Sequence, residues 1–263
     1  MTRRSANPAL STKGTALVTG AAKRLGASIA LALAEDGWDV AVHYGHSADE
    51  AQATVDAIEK LGRRAMAFDA DLGDEDAARG LIERVAKGLS APLCLVNSAS
   101  LFEADDASNY GYRNANAHMR LNVAAPVVLA QTMHGLLRAK QRGVVINLLD
   151  QKLFNPNPDF LSYTLSKAAL HSATTLLARA LAPKLRVVGI APGITLPSAD
   201  QTKRDFAKAH AKTPLGRSST PADIALAVCF LAGAQAVTGS TLIVDGGQHL
   251  VPTERDVMYL SRG

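Results

Sequence analysis

The chain has 263 residues, 48% of them hydrophobic and 20% charged, which suits one substantial α/β domain and is short for two. No apolar run approaches the roughly 20 residues of a transmembrane helix, and the formal charge of +4 comes with no basic stripe of interleaved aromatics, so neither membrane nor nucleic acid is an expected partner. The polar start, residues 1–13, contains Arg3, Arg4 and Pro8 and no apolar leader, so it is read as a flexible tail on a cytoplasmic protein.

In chain order, short apolar strands alternate with amphipathic helical stretches. Strand 15–19 precedes helix 25–36, in which Leu25, Ile29, Ala32 and Leu33 share one face. Strand 39–43 precedes helix 48–61, strand 64–68 helix 75–89, strand 93–97 helix 121–139, strand 144–149 helix 163–182, and strand 186–191 helix 221–232; strand 241–244 closes the series. This order predicts right-handed crossovers and a seven-stranded, doubly wound parallel sheet in a single Rossmann-type domain, residues 14–263, whose last part, 248–263, is a tail. Residues 102–119 and 195–217 break the pattern and are expected as irregular segments over a site, with a charged helix-like piece at 203–212. Cys94 and Cys229 lie in the apolar stretches PLCLV and AVCFL, outside any CxxC, and are expected as packed thiols rather than metal ligands.

Three features carry chemistry. Residues 19–26, TGAAKRLG, follow the first strand. A glycine turn there lets backbone N–H groups approach a pyrophosphate at a helix N-terminus, although such a turn can equally be only a turn. The second strand ends in His43, Tyr44, Gly45, His46 and Ser47, with no acid before Asp49. An acid there would bind the ribose of NADH; its absence, with Lys23, Arg24, His46 and Ser47 nearby, favours the 2′-phosphate of NADPH unless Lys23 and Arg24 are merely solvated. Tyr163 and Lys167 form a YxxxK, one helical turn apart, so phenol and ammonium share a face and the ammonium is expected to stabilise a phenolate, unless they are a plain surface pair.

Taken together, TGAAKRLG and YTLSK resemble the short-chain dehydrogenase/reductase family. That resemblance implies cofactor-binding roles for Gly20, Lys23, Arg24, Leu25 and Gly26 in the loop, for His43, Tyr44, His46 and Ser47 after the second strand, and for Lys167 at the nicotinamide ribose. It further implies adenine contacts from Asp71 and Leu72, a strand-end motif at Asn97 and Ala99, and a nicotinamide wall of Pro192, Gly193 and Ile194. Asn122 matches the family's fourth catalytic residue. The resemblance runs from about Thr15 to Gly247 and also implies a homotetramer packed through helices 121–139 and 163–182, using Leu170, Ala173, Leu176 and Leu177.

Asp150 stands thirteen residues before Tyr163, where most members have serine. That substitution, with Arg24 for a glycine, His43-Tyr44 with Ser47, and the 97–102 segment ending in Phe102, resembles the pteridine reductase subgroup. It implies catalysis by Asp150, Tyr163, Lys167 and Asn122, and a pterin-like substrate held by Ser100, Phe102, Asp150 and Tyr163. Three departures stand against it: Ser98 for an asparagine, His46 for an arginine, and the longer tail. The competing readings are a ketone reductase (3-oxoacyl, sugar or steroid) and a nucleotide sensor on a weakened site. The tail is expected to dock on a subunit interface and bring Arg255 to a partner's site, or else to pack on its own subunit.

Overall fold

The computed structural model describes residues 12–197, 206, 210–211, 213–256 and 259. Residues 1–11 of the expected N-terminal tail, most of the charged piece at 203–212, and Met258 and Leu260 of the C-terminal tail lie outside the described residues.

Seven strands form one parallel sheet: β1 (Thr15–Val18), β2 (Asp39–Tyr44), β3 (Ala65–Asp69), β4 (Pro92–Asn97), β5 (Gly143–Leu148), β6 (Leu185–Pro192) and β7 (Thr241–Val244). Their spatial order is β3-β2-β1-β4-β5-β6-β7. Chain progression therefore runs outward in both directions from β1 and β4, and a crevice opens at their carboxyl ends. Each predicted strand lies within two residues of its observed bounds. The reason is double-sided burial: Ala16 and Val18 of β1 face one apolar layer and Leu17 the other, so the strand reads as a continuous apolar run.

Helices α1 (Arg24–Glu35), α2 (Ala48–Lys60) and α7 (Pro221–Gly233) cover one face, burying Ile29, Leu33, Val55, Ile58, Ile224 and Val228. On the other, α3 (Glu75–Gly88) and α5 (Ala125–Leu136) bury Leu81, Ile82, Leu129 and Met133. Side chains start two of these helices. Asp74 caps α3 by accepting the Ala77 N–H, and Thr220 and Asp223 form a reciprocal capping box on α7.

The fourth crossover departs from the sequence expectation. Helix starts at α4 (Tyr112–Met119), inside the stretch expected to be irregular, passes through a π-helical turn at Arg120–Ala124, and continues as α5. The sequence YRNANAHM buries only Ala115 and His118, so it shows no apolar stripe for periodicity to detect. Helix α6 (Leu161–Ala180) starts two residues earlier than expected, with Phe160 at its N-cap in a left-handed conformation (φ 55°). Its buried face runs Tyr163, Ser166, Lys167, Leu170, Thr174 and Ala178. Of the residues assigned to subunit packing, Leu170 is core and Leu177 packs on the core, whereas Leu176 is exposed.

The loop after β1 is held where α1 meets it. A Cβ built on Gly26 would lie 2.1 Å from the Gly20 carbonyl oxygen, well inside contact distance. Gly26→Ala should therefore force α1 away from the loop and destabilise the fold by about 2 kcal/mol, the range for overpacking. A denaturant midpoint unchanged from wild type would show that the loop gives way without cost.

Candidate active site

Two adjoining cavities lie at the carboxyl ends of the strands. The first, about 540 Å³, is lined by Gly20, Lys23, Arg24, Leu25, Gly26, His43, His46, Asp71, Leu72 and Ala99, among others. The second, about 270 Å³, is lined by residues including Phe102, Asp150, Tyr163, Lys167, Pro192, Gly193 and Ile194. Arg24, Leu25, Ser98 and Ser100 line both, so the cavities form one continuous trough. Most residues expected at a cofactor and substrate site from scattered motifs are thus brought together. Tyr44, Ser47, Asn97 and Asn122 are not: none of the four lines the trough, and Tyr44 packs against the apolar core.

The loop geometry explains several of these residues. The Thr19 hydroxyl accepts the N–H groups of Ser98 and Ala99, each at 3.0 Å, and so ties the end of β1 to that of β4. Gly20 has φ 63°, and a Cβ there would meet the Ala99 backbone at 3.0 Å. Arg24, in the place of a family glycine, keeps the left-handed backbone that glycine would supply (φ 55°). Its guanidinium donates to the Pro197 carbonyl at 2.8 Å, and the residue lines both cavities. His43 is buried, and both ring nitrogens are engaged. Nδ1 accepts the Gly20 N–H at 3.0 Å and Nε2 donates to the Ala70 carbonyl at 3.1 Å. Its ring nitrogens brace the loop, and the residue also lines the larger cavity. Asn97 likewise turns inward, donating to Asn147 Oδ1 at 2.8 Å.

At the other end, the Tyr163 hydroxyl donates to Asp150 Oδ2 at 2.8 Å. The other oxygen of Asp150 accepts the Lys152 N–H at 2.8 Å, capping a short turn and fixing the carboxylate. Desolvation raises the Asp150 pKa against the lowering effect of these two hydrogen bonds, and the Asp256 carboxylate pushes it the same way as burial. Burial, then the charge of Asp150, holds the Tyr163 hydroxyl well above its ordinary range. Burial and Asp150 thus oppose the phenolate that Lys167 was expected to stabilise. Lys167 Nζ donates to the Leu148 carbonyl at 2.7 Å and lies 5.6 Å from the Tyr163 ring centroid. Burial lowers its pKa from 10.5 to about 8. Tyr163 is thus a protonated phenol, set up to donate.

Asn122 sits in the π-helical turn, where a widened backbone re-aims side chains. Its amide exchanges hydrogen bonds with the Leu101 backbone (N–H to Oδ1 2.8 Å, Nδ2 to carbonyl 3.0 Å), and Nδ2 also donates to Ser166. It therefore links α6 to the loop that carries Phe102. Phe102 stacks on Phe160 with centroids 4.3 Å apart and meets Tyr163 edge-on at 4.7 Å. Phe160 was missed in the sequence, though an aromatic three residues before the tyrosine, nearly one helical turn, was a readable signal. Gln151, Lys152, Gln248 and Asp256 line the smaller cavity and carry no motif. Arg255 binds Asp159 of its own chain, and its neighbour Asp256 is the residue that reaches the cavity.

A family model described as enoyl-(acyl carrier protein) reductase matches residues 20–249. The chain belongs to the short-chain dehydrogenase/reductase family and is an oxidoreductase of that type. Among solved structures it is similar to the FolM alternative dihydrofolate reductase 1 of Brucella canis, complexed with NADP, at 37% identity and a TM-score of 0.87, covering 95% of this chain and 99% of that one. The Brucella suis protein of the same description, also with NADP, gives 37% and 0.84, covering 93% and 98%. Among curated relatives, a 3-oxoacyl-[acyl-carrier-protein] reductase of Staphylococcus aureus is 31% identical over 240 residues, 89% of this chain and 98% of its own length. No helix among the described residues is long and apolar enough to cross a membrane.

His43 links this site to stability. Desolvation lowers its pKa from 6.5 to about 4, so the folded chain holds it neutral. Below pH 6.5 the unfolded chain takes up a proton that the folded chain refuses, so stability should fall as pH drops through that window, by about 3 kcal/mol in all. Denaturant midpoints measured from pH 7 to pH 4 should show this slope, and His43→Gln should flatten it. The same slope in both proteins would place the titration elsewhere.

Proposed function

We propose that the chain is an NADPH-dependent reductase that delivers hydride to a C=N bond of a dihydropterin-like substrate. The observation that carries this reading is the Tyr163–Asp150 hydrogen bond of 2.8 Å, with a carboxylate where the common family has serine. The identity with the two NADP-complexed FolM reductases supports it.

The residues of the larger cavity fit the cofactor. Gly20 and Gly26 leave no room for side chains where loop and helix meet, which fits a pyrophosphate brought close to the backbone at the helix N-terminus. Lys23 is exposed beside the cavity, and its ion pair with Glu50 is long, at 3.9 Å. His46 lines the same end. The two acids on this side are engaged locally: Asp69 with Arg84, and Asp71 with the Gly73 N–H. A 2′-phosphate would meet Lys23 and His46 with no carboxylate at the end of β2 to repel it. Arg24, turned toward Pro197, is assigned to the pyrophosphate or substrate end instead.

Bound NADPH supplies hydride to the substrate carbon; the proton must come from the chain. Tyr163 holds that proton on its phenol oxygen and can give it to the ring nitrogen. Asp150, whose pKa burial raises, can return one to the phenolate when it is itself in the acid form. Lys167, fixed on the Leu148 carbonyl, places a positive charge 5.6 Å from the Tyr163 ring centroid. Phe102, backed by Phe160, offers a flat wall against which a heteroaromatic ring can stack. The second reading, a 3-oxoacyl ketone reductase, is favoured by the staphylococcal relatives.

NADPH oxidation with dihydropterins and a panel of ketones separates the two readings. Asp150→Ser should lower kcat/KM for dihydropterins by roughly 10²-fold, and Tyr163→Phe by ~10²–10⁴-fold, as for loss of acid–base groups. A wild type that reduces ketones and ignores every pterin would refute the substrate assignment. For the cofactor, the pair of changes Lys23→Ala and His46→Asp should weaken NADPH by about tenfold or more while NADH holds or improves, measured as Kd by nucleotide fluorescence. Equal weakening of both nucleotides would move the 2′-phosphate site elsewhere.

A further inference from the structure

The C-terminal segment is fastened to the rim of the substrate cavity by its own chain. Arg255 Nε lies 2.9 Å from both carboxylate oxygens of Asp159, and Nη2 is 2.8 Å from one of them. The Asp256 N–H donates to the same carboxylate at 2.7 Å, and Asn155 donates to the Val251 carbonyl at 2.7 Å. The Arg255 guanidinium lies over the Tyr259 ring, which stacks on Phe160, the residue backing Phe102. This fastening carries the Asp256 side chain into the cavity lining beside Gln151 and Lys152.

The chemistry of that side of the cavity is acceptor-rich. Gln151 is 9% exposed, and its Oε1 is buried with no hydrogen-bond partner. A buried acceptor without a donor is costly, so the site favours a ligand that brings one. The nearby cations are already engaged: Lys152 Nζ with the Asp159 carbonyl and with Asp256 Oδ2 at 3.3 Å, and Arg24 with Pro197. Lys152 is therefore not free to receive an anionic substrate group. The reacting end of the cavity is at Tyr163, Lys167 and Asp150, and Asp256 is paired with Lys152 of the turn that follows Asp150.

We propose that Asp256 and Gln151 are specificity-determining residues, a hydrogen-bond-accepting wall that binds hydroxyl or amino donors on the part of the substrate remote from the reduced bond. This rests on reading the cavity as that of a dihydropterin reductase, and it adds which substituent the site recognises and through which residues. Contacts remote from the reacting bond act equally on ground and transition states, so their loss raises KM more than it lowers kcat.

The test compares two dihydropterins with the same ring, one with a polyhydroxylated side chain at position 6 and one with only a methyl group. Asp256→Ala should raise KM for the hydroxylated substrate by about tenfold, as for loss of a charge-assisted hydrogen bond, with a smaller fall in kcat. The rise for the methyl substrate should be several-fold smaller. Asp256→Asn, which keeps an acceptor oxygen, should recover part of the loss, and Gln151→Leu should act in the same direction. If Asp256→Ala fails to fold, Gln151→Leu and Arg255→Gln carry the comparison. Their Kd values for the hydroxylated pterin on the enzyme–NADP+ complex, read by pterin fluorescence, should also rise. Equal changes for both substrates, in a wild type that reduces them, would overturn this wall alone. A wild type that neither binds nor reduces either pterin would overturn the functional reading and the wall with it.

Discussion

A single buried hydroxyl joins the two halves of this molecule. Thr19, at the end of β1, accepts from two successive amides at the end of β4, Ser98 and Ala99, and its own N–H donates to the Val96 carbonyl. The sheet reverses its winding between these two strands, so the backbones there would otherwise diverge. Because they are tied, Gly20 and Ala99 come into close contact, and the loop must run tightly enough for Gly26 to touch it. His43 then fills the space under the loop and takes up the Gly20 amide. The trough is the opening left by this arrangement, and both cavities share the residues on either side of the tie.

The electrostatics of the smaller cavity follow from having a carboxylate where a hydroxyl is usual. A serine would leave the tyrosine's proton affinity to burial and lysine alone. Asp150 adds a negative charge against the phenol oxygen and disfavours its ionisation, while burial and the Asp256 carboxylate oppose ionisation of Asp150 itself against the phenol's hydrogen bond. Such a pair retains protons, which suits reduction, where the site must give one up on each turnover. Lys167 is turned to a carbonyl of β5 and moderates this balance from a distance.

The fold was legible because its determinants are local and repeated. Seven apolar runs separated by amphipathic helices leave little choice of topology, and the sequence placed the strands almost to the residue. The site was legible where a side-chain type is chemically unusual for its position, as at Asp150, Tyr163 and Arg24. It was not legible where tertiary packing assigns the role. Tyr112–Met119 is helical because it continues into α5 through a π-helical turn, not because it has an apolar stripe. His43 and Asn97 read as ligand contacts from their places at strand ends, and the scaffold also engages them, through both ring nitrogens of His43 and the Asn97 amide nitrogen. Gln151 and Asp256 reach the cavity through a turn and a returning tail, and Phe160 backs Phe102 from a helix cap, none of which a linear motif encodes.

The returning tail also bears on how the protein behaves at low concentration. A pocket finished by a neighbouring subunit loses part of its lining when the assembly dissociates, and its affinity for substrate then depends on how much protein is present. Here the segment with Asp256 is anchored to Asp159 of the same chain. That part of the lining is an intramolecular property, with an effective concentration fixed by the fold, and dilution leaves it in place.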